Sequence, residues 1–363
     1  MQRYTPDDAA AVTAVIREAA AGGERLAVRG LGTRDGLGHP TQADAVLDLG
    51  RLNGILDYQP SELLLTAHPA TPLAEVAAVL QAEGQMLAFE PCLEGSLGGA
   101  LAINDSGPRR FRLGAARDHL LGFEAVTGRG EFFVAGGRVV KNVTGYDLSK
   151  LLCGSFGTLA VLTCVHVKVW PAPKATKTVM KHGQSPAQAL ATLTAALASP
   201  HDPTGAAFVD GSAAVRVEGP TSSVAHRAEA LRAHLEADEV TDHDASLAFW
   251  AAIRDATAVN GMDEVWRVSV PPAEAATFIE ATAPDRFILD QGGGRIWLGY
   301  TTAQDVRRHL VTGHATLIRA SDARKAEVPV FQPAGEGVRT LESRIKAQFD
   351  PAGILEPGRR GPA

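Results

Sequence analysis

The chain has 363 residues, 45% of them hydrophobic and 21% charged, and its formal net charge is −6. This composition allows a sizeable core in one or two domains and argues against wholesale disorder. The acidic balance argues against a general nucleic-acid binder, which needs basic patches. No apolar run approaches the ~18 residues of a transmembrane segment, and the N-terminal sequence lacks the apolar core of a signal peptide. We therefore expect a cytoplasmic protein.

The first half of the chain alternates between helix and strand patterns. Thr5-Pro6-Asp7-Asp8 has the composition of a helix start, with a hydroxyl cap at Thr5 and acids beside the helix dipole. A second helix is predicted to begin at Thr71-Pro72 and to end at Gly84. Strands are predicted at 25–29, 45–49, 54–58, 63–68, 120–127, 131–134 and 159–169.

A boundary is predicted at Trp170-Pro171-Ala172-Pro173, because two prolines interrupt both a strand ladder and a helix. Beyond it, the order strand, helix, strand, strand, helix, strand is predicted over 178–241 and again over 265–318. Hairpins at 209–215 and 290–295 mark the midpoint of each copy. This duplication predicts two ferredoxin-like halves in one antiparallel sheet with helices on one face. A last helix is predicted over 337–349.

The three cysteines, Cys92, Cys153 and Cys164, are too few for an iron–sulfur cluster and too widely spaced for a CxxC zinc site. We expect buried free thiols. The histidines form no HExxH motif, and His166 is expected on the solvent side of a strand. No metal is predicted, although ligands from distant segments could still converge.

Three glycine-rich segments stand out. RGLGTRDGLG at 29–38 follows a strand, and its exposed N–H groups could form an anion-binding concavity. Its GxGxxxG spacing departs from the Rossmann fingerprint, and the alternative is an ordinary turn. In GSLGGALAINDSG at 95–107, a helix N-terminus could point free N–H groups at a pyrophosphate, or the glycines could allow close helix packing. The segment 140–163 combines glycines with many polar groups, which is typical of a cofactor wall.

The order of these segments resembles the FAD-binding domain of the vanillyl-alcohol oxidase family, also called the PCMH type. KNVTGYDLSKLLCGSFGTL and FDPAGILEPGR are similar, more narrowly, to the FAD-binding E subunits of glycolate oxidases. The resemblance implies an α+β fold, with a PCMH-type domain at 1–173 made of two α/β subdomains of about 1–58 and 59–173. A cap domain follows at 174–320, with an antiparallel sheet of duplicated ferredoxin-like halves. A C-terminal helix and tail at 321–363 return to the FAD domain.

The resemblance also implies which residues bind FAD. The turn formed by Arg29, Gly30, Leu31, Gly32, Thr33 and Arg34 would hold the pyrophosphate. The isoalloxazine and ribityl region would be lined by Pro91, Ser96, Leu97, Gly98, Gly99, Asn104, Ser106 and Gly107. Asp118 lies in the family's RDxxLG stretch. The adenine side would be closed by Gly154, Ser155, Gly157, Thr158 and Val161. The pyrimidine edge of the flavin would face Lys141, Asn142, Gly145, Tyr146 and Asp147, where the Lys141 cation would favour the anionic reduced flavin.

Neither His68 nor Cys153 lies in a recognisable attachment motif, so non-covalent FAD is expected. Substrate oxidation also needs a proton acceptor and a cation for the carboxylate. The catalytic candidates are His314 and Arg319, with Arg295 as a further carboxylate ligand. The alternatives are a structural hydrogen bond for His314 and surface ion pairs for the arginines.

The resemblance implies an FAD-dependent oxidoreductase acting on CH–OH donors, as a subunit of a multi-subunit glycolate oxidase. Its partners would be a larger flavin subunit, an iron–sulfur subunit and a small 2-hydroxy acid substrate. Peripheral membrane association through the complex is left open. Two alternatives remain: a self-sufficient 2-hydroxy acid oxidase or dehydrogenase, and a non-catalytic assembly subunit that has lost FAD.

Overall fold

The structure is a computed structural model that describes residues 1–138 and 145–361. The strands of these residues are β1 Gln2–Tyr4, β2 Leu26–Arg29, β3 Ala45–Asp48, β4 Ile55–Gln59, β5 Leu64–Ala67, β6 Gln85–Met86, β7 Leu120–Thr127, β8 Phe132–Gly136, β9 Ala160–Lys168, β10 Trp170–Pro171, β11 Ala175–Lys181, β12 Gly205–Val209, β13 Ser212–Gly219, β14 Glu239–Val240, β15 Glu264–Ser269, β16 Arg286–Asp290, β17 Arg295–Tyr300 and β18 His314–Arg319. The α-helices are α1 Ala9–Gly22, α2 Leu73–Ala82, α3 Leu97–Ala102, α4 Arg110–Leu113, α5 Leu148–Leu152, α6 Pro186–Leu197, α7 Thr221–Leu235, α8 His243–Arg254, α9 Ala275–Thr282, α10 Asp322–Glu327 and α11 Glu336–Phe349. Among the described residues, no helix has the length and apolarity needed to cross a membrane.

The chain divides into two compact units. The first consists of Met1–Ser106, Gly114–Ala172 and Pro333–Ala363, and the second of Gly107–Leu113 and Pro173–Gln332. The sequence predicted a cap of 174–320, whereas 107–113 and 321–332 also cluster with the second unit.

The first unit contains a three-stranded parallel sheet of order β1-β3-β2. Helix α1 packs on it through Val12 and Ile16, both fully buried. The helix begins after Asp8, whose carboxylate accepts a hydrogen bond from the N–H of Ala11 at 2.7 Å. The prediction that Thr5 caps this helix is therefore wrong. An aspartate is as good a cap as a hydroxyl residue, and composition alone does not choose between them.

A five-stranded antiparallel sheet of order β4-β5-β9-β7-β8 forms the rest of this unit's framework. Helix α2 places Leu73, Val76 and Leu80 against Phe123 and Val165 of the sheet in one core. Helices α3 and α5 contribute to the same core. The amphipathic spacing of α2 thus produces the packing that its sequence predicts.

The second unit is built on an eight-stranded antiparallel sheet of order β14-β11-β13-β12-β16-β17-β15-β18. Its first half, β11-α6-β12-β13-α7-β14, has the predicted order, and the hairpins β12-β13 and β16-β17 are both present. The halves meet where β12 pairs with β16, at Phe208 and Leu289. In the second half, a four-residue 3-10 helix, Val306–His309, stands where a second helix was predicted.

Helices cover both faces of this sheet. Helices α6, α7 and α9 pack on one face, against side chains such as Val215 and Leu298. Helix α8 packs on the other face, where Trp250 meets Ala207 and Ala214. The prediction of helices on one face only is therefore wrong. The small side chains of this cross-strand pair leave room for the indole ring, which is 2% exposed.

Candidate functional site

The segment 29–38 begins at the last residue of β2 and lines an open cleft with a volume of about 500 Å³. Gly32 has a φ of +73°, in the left-handed region that favours glycine. The N–H groups of Gly30, Leu31, Gly32, Thr33 and Arg34 donate no hydrogen bond to any residue that the structure describes. Five consecutive donors without a protein acceptor form a site suited to an anion with several oxygen atoms.

Two arginines add positive charge to this loop. The Arg29 Nε lies 2.6 Å from the carboxylate of Asp35, but it is buried and poorly oriented for a hydrogen bond. Arg34 lies 3.4 Å from Asp105, which is a loose ion pair. The cations therefore lie near the cleft, where the carboxylates of Asp35 and Asp105 partly offset their charge.

The hypothesis that the N-terminus of α3 offers free N–H groups is wrong. Leu97 N–H donates to the Thr71 carbonyl at 2.9 Å, and Gly98 N–H donates to the Pro69 carbonyl at 2.7 Å. Gly99 N–H donates to the Ser96 hydroxyl, which caps the helix. A Cβ on Gly98 would lie 2.6 Å from the Pro69 Cβ. The alternative reading, close packing of the helix, explains Gly98.

A second loop, 154–158, is joined to the end of α3. Gly154 N–H donates to the Leu101 carbonyl at 3.3 Å, and Phe156 N–H donates to the Ala102 carbonyl at 2.9 Å. This loop lines a cleft of about 590 Å³, together with Leu49 and other apolar residues. The two clefts adjoin, because both are lined by Val28, Gly30, Ser96, Gly99, Ala102 and Phe156.

The combined site has one part rich in N–H donors and arginine, and one part with apolar walls. An extended molecule with a diphosphate and a flat ring system matches this division. FAD is such a molecule, and the residues present therefore fit it.

The structure brings residues from three predicted segments together around these clefts. The predicted residues that line them are Arg29, Gly30, Leu31, Gly32, Thr33, Arg34, Ser96, Gly98, Gly99, Ser155, Gly157 and Val161. Other predicted residues do not line either cleft, namely Pro91, Leu97, Asn104, Ser106, Asp118, Gly145, Tyr146, Asp147, Gly154 and Thr158. Gly107 belongs to the second unit. Lys141 and Asn142 lie outside the described residues.

Several of these residues have local structural roles. Asp118 accepts a hydrogen bond from Ala115 N–H at 2.9 Å and caps a 3-10 turn. Asp147 caps α5, where the Lys150 side chain also pairs with it. Tyr146 is 93% exposed. The structure therefore gives Asp118 and Asp147 a capping function that needs no ligand.

Sequence reasoning missed Glu356 and Arg359, which both line the cleft beside the 29–38 loop. In the sequence, the tail FDPAGILEPGR contributes only to the family resemblance. No local pattern could have predicted its partners, since Glu356 binds a residue 328 positions away.

The two buried cysteines, Cys153 and Cys164, do not provide a reactive thiolate. Burial raises the pKa of the Cys153 thiol to about 12 and that of the Cys164 thiol to about 11. Cys92 is half-buried. The His68 Nδ1 lies 2.9 Å from the Thr163 carbonyl oxygen. These environments suit a cofactor that is bound without a covalent link.

The catalytic candidates of the second unit do not form a common site. His314 and Arg319 begin and end β18, and a bulge near Arg319 lets them pair with Ser269 and Val265 of β15, four positions apart, so roughly 13 Å of strand separates them. Partial desolvation lowers the pKa of His314, and the cations of Arg267 and Arg110 lower it further. Arg295 forms an ion pair of 2.6 Å with the fully buried Asp290. The carboxylate-binding role proposed for Arg295 is thus replaced by a structural one.

Within 1–138 and 145–361, no group of three or more His, Cys, Asp or Glu side chains is placed to hold a metal ion. His166 is half-buried, and its Nδ1 lies 2.9 Å from the Thr66 hydroxyl.

Comparison with known proteins agrees with this site. The FAD binding domain family matches residues 3–136. Glycolate oxidase subunit GlcE of Escherichia coli is 34% identical over 343 residues, which cover 92% of each chain. Glycolate oxidase subunit GlcD of Bacillus subtilis is 32% identical over 143 residues, which cover 39% of this chain and 30% of GlcD.

A solved structure of alkyldihydroxyacetonephosphate synthase has the same fold, with a TM-score of 0.68, 17% identity and coverage of 98% of this chain and 75% of the synthase. The predicted α+β fold of the PCMH type and FAD as cofactor are thereby confirmed. The chain belongs to the family of glycolate oxidase subunit GlcE, whose members are FAD-binding oxidoreductases.

Proposed function

We propose that this chain is a flavin-bearing subunit of a multi-subunit glycolate oxidase, acting in the oxidation of glycolate, a small 2-hydroxy acid, to glyoxylate. The similarity to GlcE along nearly the whole chain supports this proposal. The similarity to GlcD suggests a larger flavin subunit as its partner. An iron–sulfur subunit would accept the electrons, and we propose the cytoplasm as the location of the complex.

The observation that carries the proposal is the row of N–H donors at Gly30–Arg34 beside the cleft. These groups would hold the diphosphate of FAD, and Arg29 and Arg34 would offset its charge. The apolar walls around Leu49 and Val161 would exclude water from the ring system. Bound FAD would supply the electron acceptor for the oxidation.

The proposal assigns substrate turnover to the complex rather than to this chain alone. His314 and Arg319 lie at opposite ends of β18, roughly 13 Å apart along the strand, and no hydrogen bond joins them among the described residues. Arg295 is committed to Asp290. Proton abstraction and carboxylate binding would therefore be provided by the larger flavin subunit.

The test is to purify the chain alone and together with a GlcD-like subunit and an iron–sulfur subunit. We expect a yellow protein with one FAD per chain, all released by acid, and no bleaching by glycolate or D-lactate until the partners are added. Bleaching of the isolated chain would favour a self-sufficient dehydrogenase. A colourless chain that takes up no FAD would favour an assembly subunit.

A matched pair of variants tests the location of the cofactor. Gly32→Val forces a branched side chain into a left-handed backbone conformation and should abolish FAD retention. Gly36→Val is the control in the same loop, since its added Cβ meets nothing within 4 Å. Equal FAD content in both variants would contradict the proposed placement.

A further inference from the structure

The segment Ile354–Arg359 lies beside β2, the strand that leads into the 29–38 loop. Leu26 N–H donates to the Ile354 carbonyl at 2.7 Å, and Glu356 N–H donates to the Leu26 carbonyl at 2.9 Å. Leu355 and Leu26 form a parallel bridge. The tail therefore pairs with β2, the edge strand of the three-stranded sheet, from which the 29–38 loop continues.

Glu356 connects the tail to both ends of the loop. Its side chain is almost fully buried, and its Oε1 accepts a hydrogen bond from Val28 N–H at 2.6 Å. Its Oε2 accepts hydrogen bonds from the Thr41 hydroxyl at 3.1 Å and from the Arg359 Nε at 2.8 Å. Val28 precedes the loop and Thr41 follows it, so one carboxylate fixes the loop's two ends.

Arg359 holds the second half of the same loop. Its Nη1 donates to the carbonyl oxygens of Asp35 at 2.7 Å and Leu37 at 2.8 Å. Its own carbonyl accepts a hydrogen bond from His39 N–H at 2.9 Å. The second half of the loop cannot rotate its peptide groups without breaking these charge-assisted hydrogen bonds.

We propose that Glu356 and Arg359 are positioning residues that hold the 29–38 loop in the conformation that binds the diphosphate of FAD. This inference rests on the proposed placement of FAD and adds a role for two residues that would not need to touch the cofactor themselves. Preorganised donors bind an anion more tightly than donors that must be ordered on binding. The pair therefore acts on affinity for the diphosphate rather than on the environment of the flavin ring.

The test compares Arg359→Met with Arg360→Met in the full chain. Arg360 is the adjacent residue, but it is exposed and pairs with Glu342 at 2.8 Å, so its loss should leave binding unchanged. For Arg359→Met we expect the dissociation constants of FAD and of ADP to rise by the same factor, on the order of 30-fold. The spectrum of the FAD-saturated variant should match that of the unchanged chain. Arg359→Lys should recover part of the affinity, because an ammonium can still bind one carbonyl.

Two controls guard against a simple loss of folding. The melting temperature of the cofactor-free protein is measured for every variant. The double variant Glu356→Gln with Arg359→Met removes both charges together and so leaves no buried carboxylate without its arginine. In this double variant, weakened ADP binding with a nearly unchanged melting temperature supports the inference.

Affinities for ADP and FAD within twofold of the unchanged chain would overturn the inference while leaving the proposed function intact. So would a loss of binding that follows the melting temperature in all variants, with no recovery in Arg359→Lys, since that result indicates a purely structural role. An unchanged chain that binds neither ADP nor FAD would overturn both the inference and the proposed function.

Discussion

The two units differ in how far their predicted site residues converge. In the first unit, residues from the 29–34, 96–99 and 155–161 segments meet around adjoining clefts. In the second unit, His314 and Arg319 lie at opposite ends of β18 and Arg295 is buried with Asp290. The backbone N–H groups at Gly30–Arg34 belong to one continuous glycine-rich loop, and this site is therefore readable in the sequence. Sites made of side chains depend on strand register and on distant partners. Neither of these can be read from the local sequence.

The largest expected effect is on the packing of the first unit. In Gly98→Val, the new side chain would meet the Pro69 Cβ at 2.6 Å and its carbonyl oxygen at 2.8 Å. The backbone cannot move away without breaking the Gly98–Pro69 hydrogen bond, so we expect the free energy of unfolding to fall by more than about 3 kcal/mol. FAD content should fall with it. Denaturant unfolding measures the change, and Gly22→Val, with no atom within 4 Å, is the control.

In the second unit, we expect the largest loss of stability when a buried charge is removed. Burial opposes ionisation of Glu218, but Arg216 and Arg109 outweigh it and hold the pKa of this carboxyl at about 2, below its ordinary value of 4.5. A folded-state pKa lower than the unfolded one gives stability that is present above pH ~5 and is lost as the pH falls towards 2. From the shift, we expect Glu218→Gln to cost about 3 kcal/mol at pH 7 and progressively less below pH 5.

An exposed carboxylate provides the matched comparison for this experiment. A hydrogen bond from the Arg25 side chain is the main reason that the pKa of Asp44 is also about 2. This pair is on the surface and is screened by solvent, so Asp44→Asn should change stability far less than Glu218→Gln. Thermal unfolding from pH 2 to pH 7 tests both. A pH-independent difference between Glu218→Gln and the unchanged chain would show that Glu218 titrates normally in the folded protein.

The smallest effect is expected at the predicted catalytic pair. His314→Ala and Arg319→Ala should each leave FAD content unchanged and alter the turnover of the reconstituted complex by less than about twofold. Because roughly 13 Å of strand separates the two residues, the effect of the double variant should equal the sum of the effects of the single variants. A strongly non-additive loss of turnover would instead indicate that His314 and Arg319 act together in one catalytic site.

Much of the fold could be predicted because hairpins and amphipathic spacing are local. The duplication in the second unit, with turns at 210–211 and 291–294, follows from such patterns. Strand β1 was missed because its three residues lack a buried pattern and are fixed by pairing with β3. The 3-10 helix Val306–His309 was missed because Arg307, not an apolar helix face, covers Trp266, with its guanidinium 4.5 Å from the ring centroid.

The site could be predicted only in part, for the same reason. Its glycine-rich loops are continuous stretches of sequence, whereas Glu356 and Arg359 act on residues more than 300 positions earlier. The prediction of free N–H groups at α3 was wrong because the carbonyl oxygens of Pro69 and Thr71, from a different segment, accept hydrogen bonds from them. Hydrogen bonds between distant segments have no periodicity, and so they appear only in the folded chain.

The first unit is assembled from three stretches of sequence, and the last of them includes Glu356 and Arg359. A ribosome therefore produces the 29–38 loop long before the residues that brace it, and it completes Pro173–Gln332 in between. We expect that a nascent chain does not bind FAD tightly until translation has passed Arg359, even when FAD is abundant. Bound FAD would then indicate that the polypeptide has been synthesised as far as Arg359 and that its tail has folded beside β2.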